Sequence, residues 1–277
     1  MKTKLKIKGL LILLHLSFFL NVQAQVKFDI VIDTNIAAKP KEITVKLEAN
    51  YMRHYLWRGA LFGSDDVSQP TIDIGYKNFG VILGANLNYI PKNLPKESYQ
   101  KNVVFDEQDV EIYYNNKIKK FAYEVKIDGY FYFNQINSPS TLETAVKFDY
   151  PLIKNISAYT ENVLDIRSYK GSLYNYSGVK WEYSKKQNDF AIQTGVSFCN
   201  EKFSNAYYGT SVNGVLFVGG KAAFTHHFKN FYGSIAGEYY KYTNENIVEA
   251  AERSYTTNLI ISVGKELQIL TKGRRRK

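Results

Sequence analysis

The sequence predicts an all-β protein, a transmembrane antiparallel β-barrel of about 12 strands preceded by a signal peptide. Three observations predict it. Apolar and polar residues alternate with a period of two through segment after segment, from Ile43 to Leu270. The links between those segments are alternately long and short. Aromatic residues (23 Tyr and 17 Phe in 277) gather near segment ends, yet mean hydropathy is only −0.31. Successive strand side chains point to opposite faces, so such a wall has one apolar face for lipid and one polar face for water.

The N-terminus reads as an export signal. Lys2, Lys4, Lys6 and Lys8 precede the apolar run Leu10 to Leu20, and Val22-Gln23-Ala24 offers small residues for cleavage after Ala24. That run is too short for a spanning helix, which needs about 20 residues. The division that follows is residues 1–24 as signal peptide, 25–41 as a periplasmic lead-in, 42–270 as the barrel and 271–277 as a basic tail. Cleavage would lower the formal charge of +10 by the four lysines removed. The remaining bases are scattered, which argues against nucleic acid as a partner. Cys199 stands alone, so no intramolecular disulfide is possible.

Strand by strand, Ile43, Val45, Leu47, Ala49 and Tyr51 alternate with Thr44, Lys46, Glu48 and Asn50. A polar link, Gly59 to Ser68, leads to Ile72, Ile74 and Tyr76 against Thr71, Asp73 and Gly75. The turn Lys77-Asn78 leads to Phe79 through Tyr89, and a second long link runs from Pro91 to Val104. Asp109 to Asn115 is the next strand. After the lysine-rich turn Asn116 to Lys120 comes the clearest alternation, Phe121, Tyr123, Val125, Ile127, Gly129 and Phe131 against Ala122, Glu124, Lys126, Asp128, Tyr130 and Tyr132. Leu142 to Tyr150, Ile156 to Tyr169, Leu173 to Tyr183, Phe190 to Phe198, Gly214 to Phe228, Phe231 to Tyr242 and Thr256 to Leu270 complete the count. The apolar face of Ile156 to Tyr169 is interrupted by Thr160 and Asn162. Even strand number and alternating link length put both ends, and the short turns, on the periplasmic side of an outer membrane.

Within this frame lie residues that resemble a known family. Tyr55-Leu56-Trp57-Arg58-Gly59, Gln69-Pro70, Gly80 to Gly84 and Glu107-Gln108-Asp109 are similar to the Gcw_chp family of bacterial proteins. There an aromatic-Arg-Gly step closes the first strand, a Pro opens the second and a glycine-bracketed pattern marks the third. The chain departs from the pattern at Leu56 and Asn86. The resemblance covers the first half of the mature chain and implies an outer-membrane barrel of about twelve strands, with little about activity.

Catalysis finds no support in the residue spacing. A Ser nucleophile needs a His base beside it, and none of His54, His226 and His227 sits in a His-x-Ser arrangement. Asp65-Asp66 has no accompanying His for a protease-like site. No catalytic, cofactor-binding or metal residue is expected. The inward face instead carries Glu48, Asp73, Asp109, Glu111, Glu124, Lys126, Asp128, Glu143, Lys147 and Glu161, an acidic excess suited to a pore with a mild cation preference. The expected function is a porin-like channel for small solutes in the cell outer membrane, with membrane lipid around it. The alternative is a non-conducting barrel whose long outer loops, Gly59 to Ser68, Pro91 to Val104 and Asn200 to Asn213, bind a ligand or partner through Arg58, Tyr99, Phe203, Tyr207 and Tyr208.

Overall fold

The computed structural model describes residues 42–63, 66–89, 103–133 and 139–270. The signal peptide, the lead-in, the basic tail, Asp65 and Tyr99 lie outside the described residues.

Twelve antiparallel strands close into a barrel: β1 (Glu42–Met52), β4 (Val67–Tyr76), β5 (Phe79–Tyr89), β6 (Val103–Ile118), β7 (Phe121–Tyr132), β8 (Thr141–Ile153), β9 (Ile156–Asp165), β10 (Leu173–Lys185), β11 (Asn188–Cys199), β12 (Gly214–Phe228), β13 (Phe231–Tyr242) and β14 (Tyr255–Leu270). Each pairs with its sequence neighbour in the wall. β1 meets β14 through the register Ala49↔Val263, which leaves no open edge in the barrel. β2 (Tyr55–Trp57) and β3 (Ala60–Gly63) form a separate two-stranded sheet, so β1 pairs with β4 instead.

The alternation decides which face meets lipid. Val263, Phe79, Ile112, Ile127, Ile192 and Ile235 are exposed, while their neighbours Asp128, Glu143, Glu238 and Asn50 are buried inside. The exposed aromatics form two girdles. Tyr76, Phe79, Phe121, Tyr183, Phe190 and Phe231 lie at the short-turn end, and Tyr51, Tyr89, Phe105, Phe198, Tyr239 and Tyr255 at the other. Amphipathic rings settle at the two membrane interfaces, and this pattern defines an outer-membrane β-barrel with its short turns in the periplasm. The periplasmic turns are two residues long, and Lys77, Lys119, Lys186 and Lys229 take positive φ there.

Several boundaries differ from those the sequence predicts, each for a local reason. β6 begins at Val103 rather than Asp109, because a bulge opposite Asn86 and Leu87 absorbs one residue and breaks the alternation. β8 runs on to Ile153, leaving Lys154-Asn155 as the turn. β9 stops at Asp165, whose carboxylate accepts from the backbone N–H groups of Arg167 and Tyr169 and from the Thr141 hydroxyl. The Asn200–Asn213 loop contains α1 (Glu201–Tyr208), capped by Asn200, whose side chain accepts from Phe203 N–H, and ended by Gly209 at φ 66°. α2 (Glu245–Ala250) occupies the loop before β14.

Glycines on the inner wall make room for tyrosines laid flat against it. A Cβ on Gly80 would lie 2.2 Å from the Tyr113 ring, and one on Gly264 2.2 Å from the Tyr232 ring. Tyr113 then donates to Asp73 at 3.0 Å and Tyr232 to Glu48, which turns both acids toward the wall.

Candidate functional site

The lumen divides by height into two different environments. Its outer half is filled. After β1 the chain turns inward and the β2–β3 hairpin enters the barrel, contrary to the expectation that Gly59 to Ser68 is an exposed outer loop. Trp57 is buried, stacks on Phe203 of α1 (6.0 Å, 14° between planes) and meets Tyr207 at 4.6 Å and Tyr130 at 6.1 Å. The hairpin fits closely because Gly59, at φ 79°, sits where a Cβ would be 2.5 Å from the Phe217 ring. Its carbonyl accepts from Tyr242 Oη at 2.6 Å and Thr256 Oγ1 at 3.3 Å. The bulge between β11 and β12 turns both Leu216 and Phe217 inward beneath it.

Arg58, expected as an outer-loop contact, is instead buried in the lumen. Its guanidinium makes a two-pronged ion pair with Glu143 of β8, with Nη1 donating to Oε1 at 2.8 Å and Nη2 to Oε2. It also stands 4.0 Å from the Trp57 ring centre and 5.2 Å from that of Tyr174. A charge removed from water this far persists only when fully paired, and the fork of Arg onto carboxylate supplies that pairing. Phe203 likewise faces inward at 1% exposure, so it too is packing rather than an outer contact.

A polar network ties the hairpin to the wall. Tyr55 donates to Glu107 at 3.2 Å, Asn86 donates to the other Glu107 oxygen at 3.2 Å, and Gln69 donates to Asn86 at 3.3 Å. The ladder between β4 and β5 skips from Ser68↔Leu87 to Thr71↔Gly84, where Pro70 has no N–H to give, and the Gln69 and Asn86 side chains join across that gap. Sequence reasoning missed Gln69, Asn86 and Glu107 as a constellation. Tyr55, Gln69, Asn86 and Glu107 are spread over four separate strands of the chain and meet only here.

The periplasmic half holds charge. Lys126 lies 2.9 Å from Glu111 and 3.0 Å from Asp128, Lys147 lies 3.1 Å from Glu124 and 3.8 Å from Glu161, and Lys180 lies 2.6 Å from Asp149 and 3.4 Å from Glu182. Each lysine bridges two carboxylates, so acids outnumber bases in each unit. Asp109 stands beside Glu107 on the same inner face. Exposure of the Lys147 and Glu124 side chains (31% and 25%) shows that water enters from this end, while Arg58 and Glu143 above are nearly dry (10% and 2%). Between the two levels a cavity of about 40 Å³ is lined by Tyr55, Arg58, Gln69, Lys126, Glu161 and Glu238, enough for a very few waters.

On the outer side of the hairpin a second cavity of about 280 Å³ opens between Ala60, Leu61, Tyr207, Tyr208, Tyr242, Ala251 and Arg253. Burial holds the Tyr207 and Tyr208 hydroxyls well above the usual tyrosine range, so both are neutral donors. His226 and His227 are far from both cavities: His226 meets Asn188 and His227 meets Asp189, each at 2.6 Å, at the periplasmic rim. Among the described residues no group of three His, Cys, Asp or Glu is placed to hold a metal.

Wall, girdles and polar interior together define the chain as an outer-membrane β-barrel. Among solved structures it is similar to the NanC porin, with 12% identity over 80% of this chain and 100% of that one and a TM-score of 0.51. It is also similar to the KdgM porin in complex with disordered oligogalacturonate (8% identity, 80% and 98% covered, TM-score 0.48) and to an outer membrane channel from Pseudomonas putida F1 (7%, 86% and 100%, 0.49). At such identities the likeness is one of fold. No family model and no curated protein matches the sequence.

Proposed function

We propose that the protein is a porin-like channel for small solutes, with a mild preference for cations, whose path is narrowed at its outer half by the β2–β3 hairpin. The observation that carries the reading is the doubling of acids around Lys126, Lys147 and Lys180. Field from a ring of surplus carboxylates in a water-filled passage attracts cations and repels anions. We propose no catalytic role and no cofactor. Kinship with the Gcw_chp family is also proposed, supported by the convergence of the matching residues on the hairpin network.

The test is single-channel conductance of the refolded, signal-free protein in planar bilayers under a salt gradient. Stable steps with a cation-selective reversal potential, weakened by Asp128→Asn and Glu124→Gln, support the channel. Silence from protein shown to be folded by its heat-modifiable gel shift overturns it.

One observation favours a second reading, a non-conducting barrel that binds a ligand at its outer mouth. The tyrosine-lined cavity over the hairpin is close to the size of small-molecule sites, about 300 Å³ and upward. That reading expects silent bilayers together with loss of ligand protection when Tyr207 is changed to Ala.

A further inference from the structure

Single polar residues such as Gln108, Thr144 and Thr194 interrupt the lipid-facing wall elsewhere, but one column carries a larger break. Across β9 and β10 the outward pairs, from the outer end downward, are Leu164↔Leu173, Asn162↔Asn175, Thr160↔Ser177, Ala158↔Val179 and Ile156↔Trp181. Two consecutive rungs of this column are wholly polar, with apolar rungs above and below, so the break interrupts the lipid-facing wall beneath Leu164 and Leu173. On either side it is bordered by Val146 and Phe148 of β8 and by Val196 and Phe198 of β11.

The four polar side chains are joined. Thr160 and Ser177 hydroxyls lie 2.7 Å apart, Ser177 Oγ donates to Asn175 Oδ1 at 2.9 Å, and Asn175 Nδ2 donates to Thr160 Oγ1 and to Asn162 Oδ1, each at 2.9 Å. The set is incomplete at its outermost member. Asn162 is exposed and, among the described residues, its side chain does nothing but accept that bond. Both N–H groups of its amide and one lone pair of its carbonyl therefore face the membrane. Lipid chains offer neither donor nor acceptor, and an unmet amide there is strongly disfavoured.

We propose that this face, centred on Asn162, is where a second copy of the chain docks, the two barrels related by a two-fold axis. The choice of partner follows from the surplus. A side-chain amide with donors and an acceptor both unspent is its own complement: two Asn162 amides across a two-fold can each donate to the other, the reciprocal contact that an isologous interface requires. The surrounding Val146, Phe148, Val196 and Phe198 supply an apolar margin, and Ala158 below leaves room for close approach, as small residues do where membrane segments meet. This inference is independent of whether the barrel conducts.

The experiment uses the full-length protein reconstituted in lipid bilayers at low protein density, with Cys199 changed to Ser so that the introduced cysteine is the only one. Under a mild oxidant Asn162→Cys should form a disulfide-linked dimer, while Val263→Cys, equally lipid-facing on β14, should remain monomeric. In parallel, mass measurement of the otherwise unmodified protein should give a dimer that is lost in Asn162→Leu/Asn175→Leu, with the heat-modifiable gel shift of the variant unchanged. A monomer for the parent protein, a cross-link no stronger at 162 than at 263, a dimer surviving the double leucine change, or co-purification of a different protein in place of the second copy would each overturn the proposal.

Discussion

The two halves of the lumen use the same inward-facing wall in opposite ways. The outer half buries one charge pair, Arg58 with Glu143, and surrounds it with Trp57, Tyr174, Phe203 and Phe217. The periplasmic half spreads its charges through three triplets, the one on Lys126 buried and those on Lys147 and Lys180 partly exposed to water. In the dry half polar groups close on one another and on the backbone, so the region behaves as a core. In the wet half charges share partners and water, so the region sets a field without fixing a shape. Position in the membrane does not make this difference. It comes from a hairpin that leaves the wall and takes the place of water.

The sharpest way to break the contrast is to unpair the dry half. Glu143→Ala leaves the Arg58 guanidinium buried with no counter-charge, which costs about 3–5 kcal/mol. The hairpin should leave the lumen rather than keep that charge dry. Trypsin should then cut after Arg58, a bond protected in the parent, and single-channel conductance should rise as the outer half fills with water. Continued protection of the Arg58–Gly59 bond would show that the aromatic packing alone holds the hairpin.

How much of this was readable beforehand follows the same division. The wall was legible because alternation with period two is a strong local signal, and it carried strand faces as far as Glu124, Lys126, Asp128 and Lys147. Bulges were not legible, since the extra residues in β6 and β12 move side chains between faces with no mark in composition. The inward turn of Tyr55 to Gly63 was hidden for a different reason. A polar, glycine-containing link reads as a surface loop wherever it falls, and only the burial of Trp57 and Arg58 between distant strands gives it away. Their partners, Glu143 and Phe203, lie far along the chain, so no local pattern could have joined them.

A smaller effect tests the wall rather than the hairpin. In Gly80→Ala the new Cβ would overlap the Tyr113 ring, which must lift from the wall and lose its bond to Asp73. Overpacking of this kind costs about 1–3 kcal/mol. The urea midpoint in detergent should fall while the Arg58–Gly59 bond stays protected. Coincident loss of both would mean that wall and hairpin unfold together.

Smaller again in stability, but visible in selectivity, is Lys147→Gln. Half-exposed ion pairs contribute about 0–1 kcal/mol, so the unfolding midpoint should hardly move. Removing the positive charge frees both Glu124 and Glu161, and the reversal potential should shift further toward cations. Glu124→Gln should shift it the other way. Equal potentials for the two variants would show that the periplasmic triplets do not face the conducting path.

The smallest expected change is the most informative about the hairpin itself. Trp57 packs on all sides, yet its indole Nε1 is buried without a hydrogen-bond partner among the described residues. Such an orphaned donor costs about 1–3 kcal/mol, so Trp57→Phe should recover part of that penalty while keeping a ring against Phe203 and Tyr207. Loss of the larger ring leaves a void whose cost is of similar size and opposite sign. The two nearly cancel, and the urea midpoint of Trp57→Phe should sit close to that of the parent, whereas Trp57→Ala, which forfeits about 3–5 kcal/mol of packing, should expose Arg58 to trypsin. If Phe were as damaging as Ala, the indole N–H would have to be bound after all, and a water in the small cavity beside Arg58 would be its partner.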